Sequence, residues 1–566
     1  MISFSEIKSR NDFADALQIP RSVLTHVLYI AKPESFYESF TIPKKNGEDR
    51  IIMAPKGTLK SIQTKLSKQL VEYRASISQK GQEKSNISHG FEREKSIITN
   101  AQIHRNKRYV INYDLKDFFD SFHFGRVVGF FEKNKHFLLP YEVAVIIAQL
   151  TCYNGRLPQG APTSPVITNL ICEILDYRVL KIAKRYKLDY TRYADDLTFS
   201  TNYSRFLEVF DSFAKELLQE ISNSGFTINQ SKTRLLYRDS RQEVTGLVVN
   251  KKIGVNREYV KSTRAMAQAL YSTGEFTING IPGTIKQLEG RFGFIDQLDH
   301  YNNVIDDAKH DAYSLNGREK QFQEFLFFKT FFFNEYPLVI TEGKTDIRYL
   351  KAALKSLHQK YPELICKEDD GTFRFKISFF RRSKRWKYFF GISKDGADAM
   401  KLLYRFFTGQ KGVKNYYRLF AEKYKAVQRN PVIMLFDNEM ESKRPLNKFI
   451  SEEVKIPSSE QQLFKEQLYY HLIPGSKTYL MTHPLPPGKT EAEIEDLFPT
   501  EVLGVKLDGK SFSTKDKFDT SKFYGKDIFS SYVYEHWKSI DFSGFIPLLD
   551  KINMLVQNEK KPGLNT

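Results

Sequence analysis

The sequence predicts two folded parts in tandem, an α+β part followed by an α/β part. Three observations lead there. A β-prone run, Tyr190 to Ser200, carries Asp195 and Asp196 at its middle, as a hairpin would. A second β-run, Tyr109 to Asp114, ends on a carboxylate. In the second half, Pro337–Thr341 and Pro431–Phe436 are apolar runs that each stop at acids, the pattern of parallel strands in a doubly wound sheet. At 566 residues the chain is long enough for several cores.

Lys and Arg number 86 against 67 Asp and Glu, a formal charge of +19, which favours a polyanionic partner and most simply nucleic acid. The three cysteines, Cys152, Cys172 and Cys366, offer neither a disulfide framework nor a zinc spacing. No signal-like start and no apolar run of about 18 residues is present, so a soluble, cytoplasmic protein without a membrane partner is expected.

In chain order, residues 1 to 35 show weak helical periodicity. Phe40–Pro43 and Arg50–Met53 read as a hairpin around Lys44-Lys45-Asn46-Gly47; Lys44, Lys45 and Arg50 are either solvated or a clamp for phosphates. A helix spans 58 to 75, and His104 closes the helical pattern that starts at Ser96. Asp114 stands at the end of its strand and makes a third carboxylate beside Asp195 and Asp196. Together these could hold two Mg²⁺ about 4 Å apart, one at a 3′-hydroxyl and one at a leaving pyrophosphate. The alternative is a solvated Asp-Asp turn. Asp117 and Asp120 are expected to be solvated or structural.

Leu157 to Pro165 is a Pro/Gly-punctuated loop opening a helix from 166 to 186; its small residues would let a base or nucleotide lie against the backbone, unless it is a plain helix entry. A helix over 206–223, a turn at Gly225 that leads to Lys232, and a short strand over 244–250 follow. Residues 255 to 312 are helical and basic, with an apolar ridge at Leu288, Phe292, Ile295 and Leu298.

This order of motifs over residues 20–312 resembles a reverse transcriptase. The resemblance implies a right-hand polymerase with fingers and palm in 1–254 and thumb in 255–312. It also implies Asp114, Asp195 and Asp196 as catalytic Mg²⁺ ligands and dNTPs as substrates. Gln159 and Gly160 would contact the nucleotide, Phe119 would exclude a ribose 2′-hydroxyl, and Lys232 would assist the leaving group. Asn100-Ala-Gln-Ile-His104 and Val244-Thr245-Gly246 match signatures of retron enzymes. That membership implies a cognate structured non-coding RNA, bound in part through Asn100, His104, Val244, Thr245 and Gly246. Copied from a guanosine 2′-hydroxyl, this RNA would yield branched RNA-linked DNA (msDNA).

A connecting helix is expected within 313–335. Glu342 ends the next strand, and Gly343-Lys344-Thr345-Asp346 opens a helix. A Walker A loop would require glycine at 338, where Leu338 stands, which disfavours nucleotide hydrolysis. The second strand ends on Asp437-Asn438-Glu439, placing Glu342, Asp346, Asp437 and Glu439 at one sheet edge, a set that implies Mg²⁺. Residues 336–566 resemble a Rossmann-like TOPRIM domain of the OLD-nuclease kind, with Glu342 as acid/base and Glu495 and Lys526 as further candidates. Glu439 departs from the usual final Asp. Arg381, Arg382, Lys384, Arg385 and Trp386 interleave charge with aromatics, either a nucleic-acid patch or a solvated hairpin. The reading is a polymerase fused to an antiphage nuclease effector. A non-catalytic product-binding module and a primase-like domain are the rivals, and a homo-oligomer is compatible with either.

Overall fold

The computed structural model describes residues 4–559 except 44–46, 48, 80–86, 306–311, 313, 393–395, 442–443 and 516. Lys44, Lys45 and Asn46 of the basic hairpin lie outside the described residues. The chain divides into two compact units, Met1–Arg257 and Glu258–Thr566.

In the first unit, β1 (Tyr37–Pro43) and β2 (Asp49–Pro55) pair antiparallel as the expected hairpin. The central sheet joins β3 (Tyr109–Asp114), β4 (Asp189–Tyr193), β5 (Asp196–Thr201) and β6 (Arg234–Tyr237) in the order β4-β5-β3-β6, antiparallel throughout. Its apolar side chains, Ile111, Leu197 and Phe199 among them, share a core with Leu175 and Val179 of helix Ser164–Arg185. Helix Phe206–Asn223 buries Phe206, Phe213, Leu217 and Ile221 in the same core, a stripe at helical spacing. The single strand expected over 244–250 is instead a tight hairpin, β7 (Glu243–Val244) and β8 (Leu247–Val248), turning at Thr245 and Gly246. Both turn residues have positive φ, +48° and +79°. The glycine accepts this freely; a β-branched threonine does not.

The second unit begins with helix Arg257–Thr273, a short hairpin of β9 (Thr277–Ile278) and β10 (Ile281–Pro282), and helix Ile285–Ile305. The ridge Leu288, Phe292, Ile295 and Leu298 is buried as its periodicity predicts. Helix Gly317–Phe331, closed at its start by a capping box between Asn316 and Glu319, stacks Phe322 and Phe325 on Phe292. The expected connector is therefore itself core.

Further strands are β11 (Leu338–Thr341), β12 (Ile365–Lys367), β13 (Phe373–Phe375), β14 (Ser378–Phe379), β15 (Val432–Phe436), β16 (Tyr469–His471) and β17 (Thr478–Thr482). Five of them form a sheet ordered β14-β11-β15-β17-β16, parallel except for the edge strand β16. Successive side chains point to opposite faces, and both faces are covered. Val339, Ile433, Leu435 and Met481 enter a core with Tyr349, Phe529 and Ile552, whereas Leu338, Ile340, Met434 and Leu480 enter one with Phe389, Leu403 and Phe420.

Candidate functional site

In the first unit, strand register brings the acids together. Asp114 and Asp196 are direct partners across β3 and β5, and Asp195 sits in the turn between β4 and β5. Ala194 holds that turn with φ +54°, and the Asp195 carbonyl accepts from the Leu115 amide at 2.9 Å. Burial, reinforced by the charges of Asp195 and Asp114, pushes the Asp196 carboxyl up to about 7. Asp195 is raised as well, chiefly by burial. Lys232 donates to both carboxylate oxygens of Asp114 at 3.0 Å, so a cation already neutralises part of the cluster. Arg50 from β2 adds a positive field at Asp195.

Beneath the turn lies a support that sequence reading missed. Arg192 is fully buried and donates to both Asp176 carboxylate oxygens at 2.8 Å, with a further bond to the Ala194 carbonyl at 3.3 Å. An unpaired buried guanidinium would be costly, so the pair pins the hairpin from below. Gly90 packs against the Ala194 amide so closely that a Cβ would lie 2.6 Å from it. The sole hint in the sequence is a charged residue at an inward strand position.

Several expected nucleotide or RNA contacts are placed differently. His104 is fully buried, bonded to Ser200 Oγ and Thr191 Oγ1 at 2.7 Å each, and burial pulls its pKa down to about 3. Asn100 is also fully buried. His104 thereby ties Thr191 of β4 to Ser200 of β5, and neither side chain reaches solvent in this structure. Val244 is buried too, Thr245 is half-buried with its hydroxyl shut off from solvent, and Gly246 is exposed. Gly160, expected against a flat ligand, lies against β2 instead: with φ +114°, its Cβ would meet Ile52 at 2.6 Å and the Met53 carbonyl at 2.9 Å. The neighbouring Gln159 carbonyl accepts from the Met53 amide at 2.8 Å, which leaves its side chain partly exposed. Phe119 is half-buried with its ring edge-on to Phe118.

In the second unit, Glu342 follows β11 and Asp437 follows its parallel neighbour β15, so both stand at the carboxyl edge of the sheet. The Asp437 amide donates to Glu342 Oε1 at 3.2 Å, and Asp346 Oδ2 accepts from the Gly343 amide at 2.9 Å. Burial and the neighbouring Asp437 charge push Glu342 up to about 8 and Asp346 to about 7. Glu439 is the outlier, turned toward Arg444 at 3.3 Å. Glu495 is buried here, raised by burial, and bridged by Lys526 at 3.2 Å. His483, which sequence reading did not single out, follows β17. Its Nε2 lies 3.1 Å from Asp437 Oδ1, which also accepts from the Ile494 amide at 3.2 Å. One Asp437 oxygen is thus held by protein groups.

Both acid sets are all-oxygen donors of the kind that suits Mg²⁺. Burial raises Asp196, Glu342 and Asp346, and the negative charges beside them add to it; a divalent ion would offset both. Among the described residues, no three His, Cys, Asp or Glu side chains close around one point as a finished metal group.

The basic run 381–386 is not a hairpin. Ser383 caps helix Lys384–Phe390, and Trp386 is buried with Phe389 and Phe390. Stacking of Trp386 on bases is therefore excluded in this structure. Arg385 pairs with Glu289, Arg382 donates to the Thr341 carbonyl, and Arg381 and Lys384 remain exposed. Among the described residues, no helix is long and apolar enough to cross a membrane.

Residues 42–252 match the family described as Reverse transcriptase (RNA-dependent DNA polymerase). Retron Ec86 reverse transcriptase of Escherichia coli is 33% identical over 292 residues, covering 51% of this chain and 84% of its own. Retron Mx65 reverse transcriptase of Myxococcus xanthus is 36% identical over 280 residues, covering 46% and 62%. Retron Mx162 reverse transcriptase, also of M. xanthus, is 33% identical over 329 residues, covering 52% and 65%. The chain thus spans under two thirds of either M. xanthus relative. Telomerase from Candida albicans with a fragment of telomeric RNA aligns over 52% of this chain and 60% of its own at TM-score 0.31 and 11% identity, too loosely to argue from.

Proposed function

The chain belongs to the retron reverse transcriptase family, and from that premise we propose that it copies a cognate structured RNA into branched RNA-linked DNA and carries a C-terminal Mg²⁺-dependent nuclease for antiphage defence. The observation that carries the polymerase reading is the register that sets Asp114 opposite Asp196, with Asp195 in the adjoining turn. Asp114, Asp195 and Asp196 would hold Mg²⁺, which when bound supplies activation of the attacking hydroxyl and neutralises pyrophosphate charge. Lys232, now paired with Asp114, is the candidate proton donor to the leaving group, and Phe119 is the candidate for excluding a 2′-hydroxyl.

For the C-terminal site, Glu342 is the proposed acid/base, since a carboxyl near 8 still holds its proton at neutral pH. Asp346 and Asp437 would hold Mg²⁺, and Glu439 could join them only by leaving Arg444. His483 orients Asp437, and Lys526 offsets the charge of Glu495. The Glu439–Arg444 pair favours a second reading, in which this unit docks the RNA–DNA product without cutting it.

Sequencing nucleic acid that copurifies with the full chain tests the polymerase reading. DNA joined to RNA at a guanosine 2′-hydroxyl is expected; a random sample of cellular RNA would sink it. Incubating the same protein with DNA and RNA in Mg²⁺ separates nuclease from docking module, because only the nuclease shortens a strand.

A further inference from the structure

Helix Asp346–Ser356 of the second unit carries Lys351 and Lys355 one turn apart, both half-buried. Arg381, which is exposed, follows β14, and the parallel register of β14 on β11 leads the chain past the strand end at Thr341. The three cations act on one another: burial pulls the Lys351 ammonium below its usual value, and the positive charges of Arg381 and Lys355 pull it further. Among the described residues no carboxylate pairs with any of the three, although cations around them are paired, Lys344 and Arg348 with Asp527, Lys360 with Asp550 and Arg374 with Glu368. Like charges four apart on a helix destabilise it, and a half-buried ammonium facing two others adds to that cost. A bound anion would offset both.

The rings beneath these lysines narrow the ligand. Lys351 Nζ stands over Phe375 and Phe379, 5.3 and 5.7 Å from their centroids, and Lys355 Nζ stands 3.9 Å over Tyr534. All three rings pack against the core that holds Tyr349 and Phe529. The ammonium groups are thereby held in place before anything binds, so less freedom is lost when a phosphate arrives. Capped by lysine on one side and packed on the other, the rings offer no platform for an unstacked base, which a single-strand site needs. A duplex keeps its bases stacked and presents its phosphates alone. The two lysines lie about 6 Å apart along the helix axis, a spacing that neighbouring phosphates of one strand can match.

We propose that Lys351, Lys355 and Arg381 form a docking surface for the phosphate backbone of a nucleic-acid duplex. The surface takes phosphates without reading bases, so binding is independent of sequence and falls steeply with salt. It rests on the reading of this unit as one that handles nucleic acid, and it holds whether the unit cuts or only docks.

The test is acetylation of the full chain in EDTA, with and without a short blunt DNA duplex, read at each lysine by mass spectrometry. The readout is local, so duplex held elsewhere on the protein is not counted. Lys351 and Lys355 should be protected, and Lys360, already paired with Asp550, should not. Arg381→Glu should raise the duplex concentration that half-protects Lys355 by about tenfold or more, with primer extension unchanged. Arg381→Lys keeps the charge and should stay within a few-fold of wild type, which separates loss of the surface from loss of the fold. No protection by duplex, equal protection of Lys360, or an unchanged half-protection in Arg381→Glu overturns the proposal. A single strand of the same sequence that protects equally well overturns the duplex assignment, and polyglutamate doing so overturns the nucleic-acid assignment. Protection by a duplex that Mg²⁺ does not cause to be cut keeps the surface and removes the nuclease reading.

Discussion

The two acid sites solve one electrostatic problem with opposite architectures. In the first unit the carboxylates lie on an antiparallel hairpin and its neighbour, where register alone sets Asp114 against Asp196, and a solvent-facing Lys232 supplies a counter-charge. In the second they lie at the ends of parallel strands, where His483 meets Asp437 from 46 positions further on and Glu495 adds another negative charge that raises Asp346. The hairpin acids are partly neutralised by Lys232, which comes from 118 positions beyond Asp114. The sheet-edge acids are raised to a similar extent, Glu342 to about 8 and Asp346 to about 7 beside Asp196 at about 7.

If the sites are independent, each should be destroyed without harm to the other. Asp195→Asn with Asp196→Asn is expected to lower primer extension on RNA by about a thousandfold or more, because the charge that holds metal is lost while volume is kept. Extension within a few-fold of wild type would refute the site. Glu342→Gln and Asp437→Ala should leave that extension unchanged while abolishing strand cleavage and phage defence. Defence equal to wild type would make the second unit a docking module.

The comparison sharpens with pH. Carboxyls raised by folding contribute stability that is fully present below their unfolded pKa, about 4, and is lost as pH rises through the folded values of about 7 to 8. Melting in EDTA should therefore fall from about pH 5 to pH 9, by a few kcal/mol in all. Glu342→Gln should flatten that curve, and added Mg²⁺ should restore stability at the alkaline end. A curve indifferent to both would mean that the two clusters are not strained.

Smaller effects probe single contacts. Phe119→Ala should cut discrimination against ribonucleotides by about tenfold or more, read as the ratio of kcat/KM for dNTP over rNTP. Thr245→Asn relieves a positive φ that a β-branched residue resists and should stabilise the first unit by about 1 kcal/mol, seen as a higher Tm. Unchanged melting would show that the turn is not strained.

Sequence by itself determined the elements whose signal is periodic or local. The hairpin around Asp195, the strand ending on Asp114, the ridge from Leu288 to Leu298 and the two parallel strands of the second unit were all legible, because apolar period and turn chemistry act over a few residues. Tertiary structure alone decided who stands next to whom. A buried His104 reads in sequence like an exposed one, and Trp386 within a basic run reads like a base-stacking platform until the core claims it. Arg192 and Asp176 form a buried pair 16 residues apart, and His483 meets Asp437 across 46. No local pattern encodes such pairings, since they exist only once packing removes water and each buried charge or polar group must find a partner.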